Sequence, residues 1–247
     1  PSEGTLTDNG TAITSDDLPK TTTGTDVVYT STSDTATSDS FTFKVNDGTV
    51  DSDAATVTLN ITAVNDTPTA TAQTVDATED EAKTITLAGT DAEGDTLTYI
   101  VASLPSEGTL TDNGTAITSD DLPKTTSGTD VVYTATSETA TSDSFTFKVN
   151  DGTVDSDAAT VTINITLVNE KPVATAQTVE ATEQTAKEIT LAGTDAEGDT
   201  LTYIVASLPS EGTLTDNGTA ITSDDLPKTT TGTDVVYTST SDTATSD

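Results

Sequence analysis

The sequence contains no cysteine, histidine, methionine, tryptophan or arginine. Without cysteine or histidine there is no disulfide, thiolate nucleophile, imidazole base or soft-metal site. Its positive charge comes from 8 lysines against 42 acidic residues, for a formal net charge of −34. Phosphate repulsion at that charge excludes a nucleic-acid partner. No apolar run approaches the ~18 residues of a membrane span, so no membrane insertion is expected of this segment. No signal peptide opens the sequence, as expected of a segment of a secreted protein that starts within a longer chain.

Low hydrophobicity with high net charge ordinarily signals disorder. Here the apolar residues alternate instead. Phe41, Phe43 and Val45 fall on one face of an extended segment, as do Val57, Leu59 and Ile61. Period-two patterning rich in Thr, Val and Ile predicts half-buried strands, and helical periodicity is absent. The fold class expected is all-β.

The 22-residue string "PSEGTLTDNGTAITSDDLPKTT" begins at Pro1, Pro105 and Pro209, 104 residues apart. Residues 105–170 differ from 1–66 at six positions: Thr23/Ser127, Ser31/Ala135, Asp34/Glu138, Leu59/Ile163, Ala63/Leu167 and Asp66/Glu170. A period near 100 residues is too long for a solenoid unit and predicts an array of domains. "AVNDTP" and "LVNEKP" close a strand and then place a proline, which cannot continue a ladder. The expected divisions are 1–66, the C-terminal part of one repeat; 67–170, a complete repeat; and 171–247, the N-terminal part of the next. This phase predicts a window on a longer tandem array.

Within 67–170 seven strands are expected, at about 70–76, 83–89, 96–103, 108–111, 130–135, 144–149 and 158–166. Seven short strands in about 100 residues predict an Ig-like sandwich, with repeats joined end to end.

Strand alternation sends acidic loops to both ends of each sandwich. At the first junction, Asp39, Asn65 and Asp66 are expected to meet Asp91, Glu93, Asp95, Asn150 and Asp151, with Asp155 and Asp157 joining them or forming a second site. At the second, Glu79, Asp80 and Asp143 are expected to meet Asn169, Glu170, Asp195, Glu197 and Asp199. Two carboxylates about 4 Å apart repel by ~1 kcal/mol in water and ~4 at an effective dielectric of 20. A hard dication bound by oxygen relieves that repulsion; Ca²⁺ suits a flexible carboxylate set better than Mg²⁺, which demands a compact octahedron. "DAEGDTLTY" is not an EF-hand, since it lacks the closing Glu of a twelve-residue loop. The "SDDLPK" turns and the "DNG" hairpins read as solvated turns.

"VND…P", the "ED" turn, "GTDAEGDTLTY" and "FTFKVNDG" together resemble the cadherin-like and bacterial Ig-like tandem repeats of giant RTX-type surface adhesins, especially the extender repeats of bacterial ice-binding adhesins. The resemblance implies an extracellular position at the bacterial cell surface and a stalk in which calcium stiffens the linkers. It also implies that ligand-binding domains lie elsewhere in the full protein, leaving calcium and neighbouring repeats as the partners of this segment. The linker role falls on Asn65, Asp66, Asn169 and Glu170, and the domain-end role on Asp91, Asp95, Asp195 and Asp199. The glycine-rich nonapeptides of that family do not occur here. The function expected is a spacer set in length by copy number. The alternatives are a fibre or surface-layer subunit and a module that itself binds glycan, ice or another cell. Enzymatic activity is not expected, because no base or nucleophile constellation is present.

Overall fold

The computed structural model describes residues 1–240. Chain contacts divide the chain into two compact units, 1–136 with 142–165 and 137–141 with 166–247.

The first unit contains two facing sheets. The larger runs in the order 124–125, 98–101, 142–150, 159–166, 73–78; the smaller runs 115–116, 108–112, 130–135, 83–86. Alternation in the sequence becomes alternation in burial. In Ala159–Thr166 every second residue is buried, and Phe145, Phe147 and Val149 turn inward from the neighbouring strand. With Tyr133, Ile85, Leu87, Leu110, Val101, Val131, Val161 and Ile163 they form the core. Each such side chain contributes ~1.5–3 kcal/mol of burial. This is the expected Ig-like β-sandwich.

The structure refines the expected strands in three places. The first is broken into Thr69–Ala70, paired with Gly89–Thr90, and Gln73–Thr78, which joins the edge of the larger sheet. The strand expected at 83–89 breaks too, into Lys83–Thr86 and Gly89–Thr90. Two short edge strands, Thr115–Ala116 and Lys124–Thr125, were not expected. Such short pieces lack the alternation that marks a longer strand. The first edge strand follows the turn at Asn113 and Gly114, whose φ of 46° and 78° are what a tight hairpin requires of an Asn-Gly pair.

The unit also contains Gly4–Asp8 between Thr11–Ile13 and Val28–Ser31, and the hairpin Ser38–Phe43 with Ala55–Asn60. The second unit has Lys187–Thr190, Asp234–Ser239, Gly212–Asp216 and Thr219–Ala220 in one sheet, and Ile204–Val205 paired with Lys228–Thr229.

Candidate metal centre

In the first unit, the loop after Gly89–Thr90 closes on itself: the Asp95 N–H donates to Asp91 Oδ1 at 2.9 Å, across Gly94 at φ 77°. This turn leaves Asp91 Oδ2 buried with no hydrogen-bond donor among the described residues. Glu93 reaches the linker, where its Oε2 accepts the Asp66 N–H at 3.2 Å. Its other oxygen, Oε1, is buried and has no donor. Carboxylate oxygens of Asp34, Asp66 and Glu93 lie within 4.8 Å of one another. Asp34 and Glu93 also line a recess of about 300 Å³, with Thr35, Ala63, Asn65 and Asp95. Asn65 bridges the linker to the sandwich, donating from Nδ2 to Asp151 Oδ2 at 2.8 Å and to the Asp66 carbonyl at 2.9 Å. The Asn65 amide, with the N–H groups of Val154 and Thr153, lowers the pKa of Asp151 against the opposing effect of burial.

The second unit repeats the motif. The Glu170 N–H donates to Glu197 Oε1 at 2.8 Å, Glu197 Oε2 is buried without a donor, and the Asp199 N–H donates to Asp195 Oδ1 at 2.9 Å. Asn169 Nδ2 bonds the Glu170 carbonyl at 2.7 Å, and carboxylate oxygens of Glu138 and Glu197 lie within 4.8 Å.

Two residues of this arrangement escape the sequence reading: Asp34 and Glu138. They come from the turn before the 38–43 and 142–150 strands, far in sequence from the linkers. One signal was available, since this position varies between copies yet stays acidic.

Other expected ligands have different tasks. Asp39 and Asp143 are fully engaged inside their own repeats. Asp143 accepts the N–H groups of Ser106, Glu107 and Ser144 and the Tyr133 hydroxyl, two donors to each oxygen. Asp39 holds the equivalent bonds to Ser2, Glu3, Ser40 and Tyr29. Burial would raise the Asp39 pKa, but these four donors outweigh it and hold the value at about 2. The structure therefore corrects the placement of both. A carboxylate whose lone pairs already face four protein donors has little left for an ion. Asn150 and Asp155 bond each other at 2.7 Å within a surface turn, and Lys148 lies 3.8 Å from Asp155. Asp157 and Asp80 are exposed, the latter at φ 58° beside buried Glu79, which bridges to Ala135.

The bacterial Ig domain family model matches residues 65–164. This segment is an Ig-like repeat. Solved structures similar to the chain include the extracellular cadherin domains 1–5 of protocadherin gamma B2 (14% identity, 75% of this chain and 35% of that one, TM-score 0.42). The protocadherin gamma B4 extracellular domain is similar at 17% identity, over 81% of this chain and 34% of that one, with a TM-score of 0.41. An endo-fucoidan hydrolase from glycoside hydrolase family 107 is similar at 21% identity, over 95% of this chain and 34% of its own, with a TM-score of 0.34. The chain thus spans about a third of the length of each of these. No curated protein matches the sequence.

The Ig-like repeat presents its linker acids as hard oxygen donors of high charge density. The set fits calcium in donor type and in having buried oxygens that no protein donor satisfies.

Proposed function

We propose that this chain is a spacer of a long extracellular adhesin at the bacterial cell surface, with its inter-repeat linkers stiffened by calcium. The divisions at about 66/67 and 170/171 are the joints in this reading. Ligand recognition belongs to other domains of the full protein. The observation that carries the reading is the meeting of Asp34, Asp66 and Glu93 with a donor-free Glu93 Oε1 at the linker. Near-identical copies support it, because a stalk repeats one joint many times.

Within the reading, Asp34, Asp66 and Glu93 hold the ion in the first unit, and Glu138, Glu170 and Glu197 hold it in the second. Calcium supplies the positive charge that offsets their mutual repulsion. Asn65 and Asn169 orient the linker carbonyls, and the 91–95 and 195–199 turns fix the acidic loops. With dissociation constants in the extracellular range of ~10⁻⁴–10⁻³ M, environmental calcium keeps such sites largely filled.

The test is a calcium titration of the chain followed by small-angle scattering and thermal melting. Calcium is expected to extend the particle and raise Tm, and EDTA to reverse both. Unchanged dimensions and Tm across the titration remove the mechanism.

A further inference from the structure

Three of the six positions at which 1–66 and 105–170 differ fall in one place. Asp34 and Ala63 line the recess of the first unit, and Asp66 joins Asp34 in its acidic cluster. Their counterparts are Glu138, Leu167 and Glu170. The facing wall does not change: "TDAEGDTLTY" is identical at 90–99 and 194–203. Glu93 and Glu197 each keep one buried, donor-free oxygen and accept the linker N–H with the other. One side of the site is thus held constant while the other is enlarged at three positions.

We propose that the two linkers are calcium sites of unequal strength, tighter in the first unit, with the difference set by positions 34, 63 and 66 against 138, 167 and 170. The inference rests on the calcium reading given above. Formal charge does not separate the exchanged positions, because Asp34 and Asp66 carry the same charge as Glu138 and Glu170. Length does. Glu138 and Glu170 each add a methylene and a torsion that must be ordered around the ion, at an entropic cost that Asp34 and Asp66 avoid. Leu167 places a bulkier apolar side chain where Ala63 leaves room. Ligand rigidity is a recognised control of calcium affinity at constant charge. The expected result is a dissociation constant roughly three- to tenfold higher in the second unit, the size expected from ordering two additional torsions. As calcium falls, the second linker loosens first.

The experiment is isothermal titration of the full chain with CaCl₂. Glu138→Gln with Glu197→Gln isolates the first site, and Asp34→Asn with Glu93→Gln isolates the second. A triple exchange, Asp34→Glu, Ala63→Leu and Asp66→Glu, is expected to weaken the isolated first site to the value of the second. The reverse exchange, Glu138→Asp, Leu167→Ala and Glu170→Asp, only removes atoms and is expected to strengthen the second. Urea midpoints in EDTA check that each variant folds. Equal affinities at the two isolated sites, or exchanges that leave affinity unchanged, overturn the proposal while leaving calcium binding intact. If neither double amide variant reduces calcium uptake, the calcium reading falls and the proposal falls with it.

Discussion

Tyr133 donates its buried hydroxyl to Asp143 Oδ2 at 2.9 Å, and Asp143 also gathers the backbone N–H groups of Ser106, Glu107 and Ser144. One carboxylate thereby ties the 130–135 strand, the turn before 108–112 and the start of 142–150. Burial, with the Asp143 hydrogen bond and charge, raises the Tyr133 pKa well above its ordinary value. Tyr133→Phe leaves the acceptor short of one donor and is expected to cost about 1–3 kcal/mol. Asp143→Ala strands four donors and is expected to cost more. Urea unfolding followed by tyrosine fluorescence measures both, and an Asp143→Ala cost no larger than that of Tyr133→Phe refutes this account.

Gly108 lies against the same tyrosine. A Cβ there would come within 2.5 Å of Tyr133 Cε2 and of the Thr134 carbonyl. Gly108→Ala is therefore expected to destabilise by about 1–3 kcal/mol. Gly128 has nothing within 4 Å, and Gly128→Ala is expected to change stability by less than about 0.5 kcal/mol. Thermal melts of the two variants side by side check the contrast.

Acid is expected to destabilise the fold in a defined window. Asp39 is held at about 2, as is Asp47, whose chief donors are the Thr49 hydroxyl and the Val50 and Thr49 N–H groups. Both lie below the ordinary value of 3.8. As pH falls, the unfolded chain takes up these protons first, so stability present above pH ~4 declines towards pH ~2. Tyr29 and Tyr133, raised above 10, add a loss as pH rises past that value. Urea midpoints across pH in EDTA test both limbs; a flat profile between 4 and 2 contradicts the assignment.

Glu93→Gln is expected to act with opposite sign in the two metal states. Without calcium it removes one of three crowded carboxylates and should stabilise by about 1 kcal/mol. With calcium at a hundredfold over the dissociation constant, it forfeits up to ~2.7 kcal/mol of linkage. Tm shifts of the same sign in EDTA and in calcium exclude Glu93 as a ligand.

The acidic site was legible where it is local. Asp91, Glu93 and Asp95 share one turn, and Asn65 and Asp66 share one linker, so spacing alone groups them. Asp34 and Glu138 were not legible, because they arrive through the fold from a distant turn. Asp39 and Asp143 misled for a related reason: a carboxylate in a sequence carries no mark of the donors that will face it. Seven strands were readable from alternation, whereas the break at Thr71 was not. There the Thr71 N–H bonds the Ala88 carbonyl before the chain joins the edge of the larger sheet at Gln73–Thr78.

Phe145, Phe147 and Val149 alternate with polar residues along 142–150. Composition and alternation by themselves determined that the 142–162 segment is an amphipathic hairpin with one apolar face. Only tertiary structure decided what became of that face. At 142–150 the strand runs nine residues, because Thr98–Val101 pairs with Phe147–Asn150 and the facing sheet covers the side chains, leaving Phe147 and Val149 0% exposed. A strand's length and burial depend on the hydrogen bonds and apolar surface of its neighbours, and those neighbours are supplied by the fold.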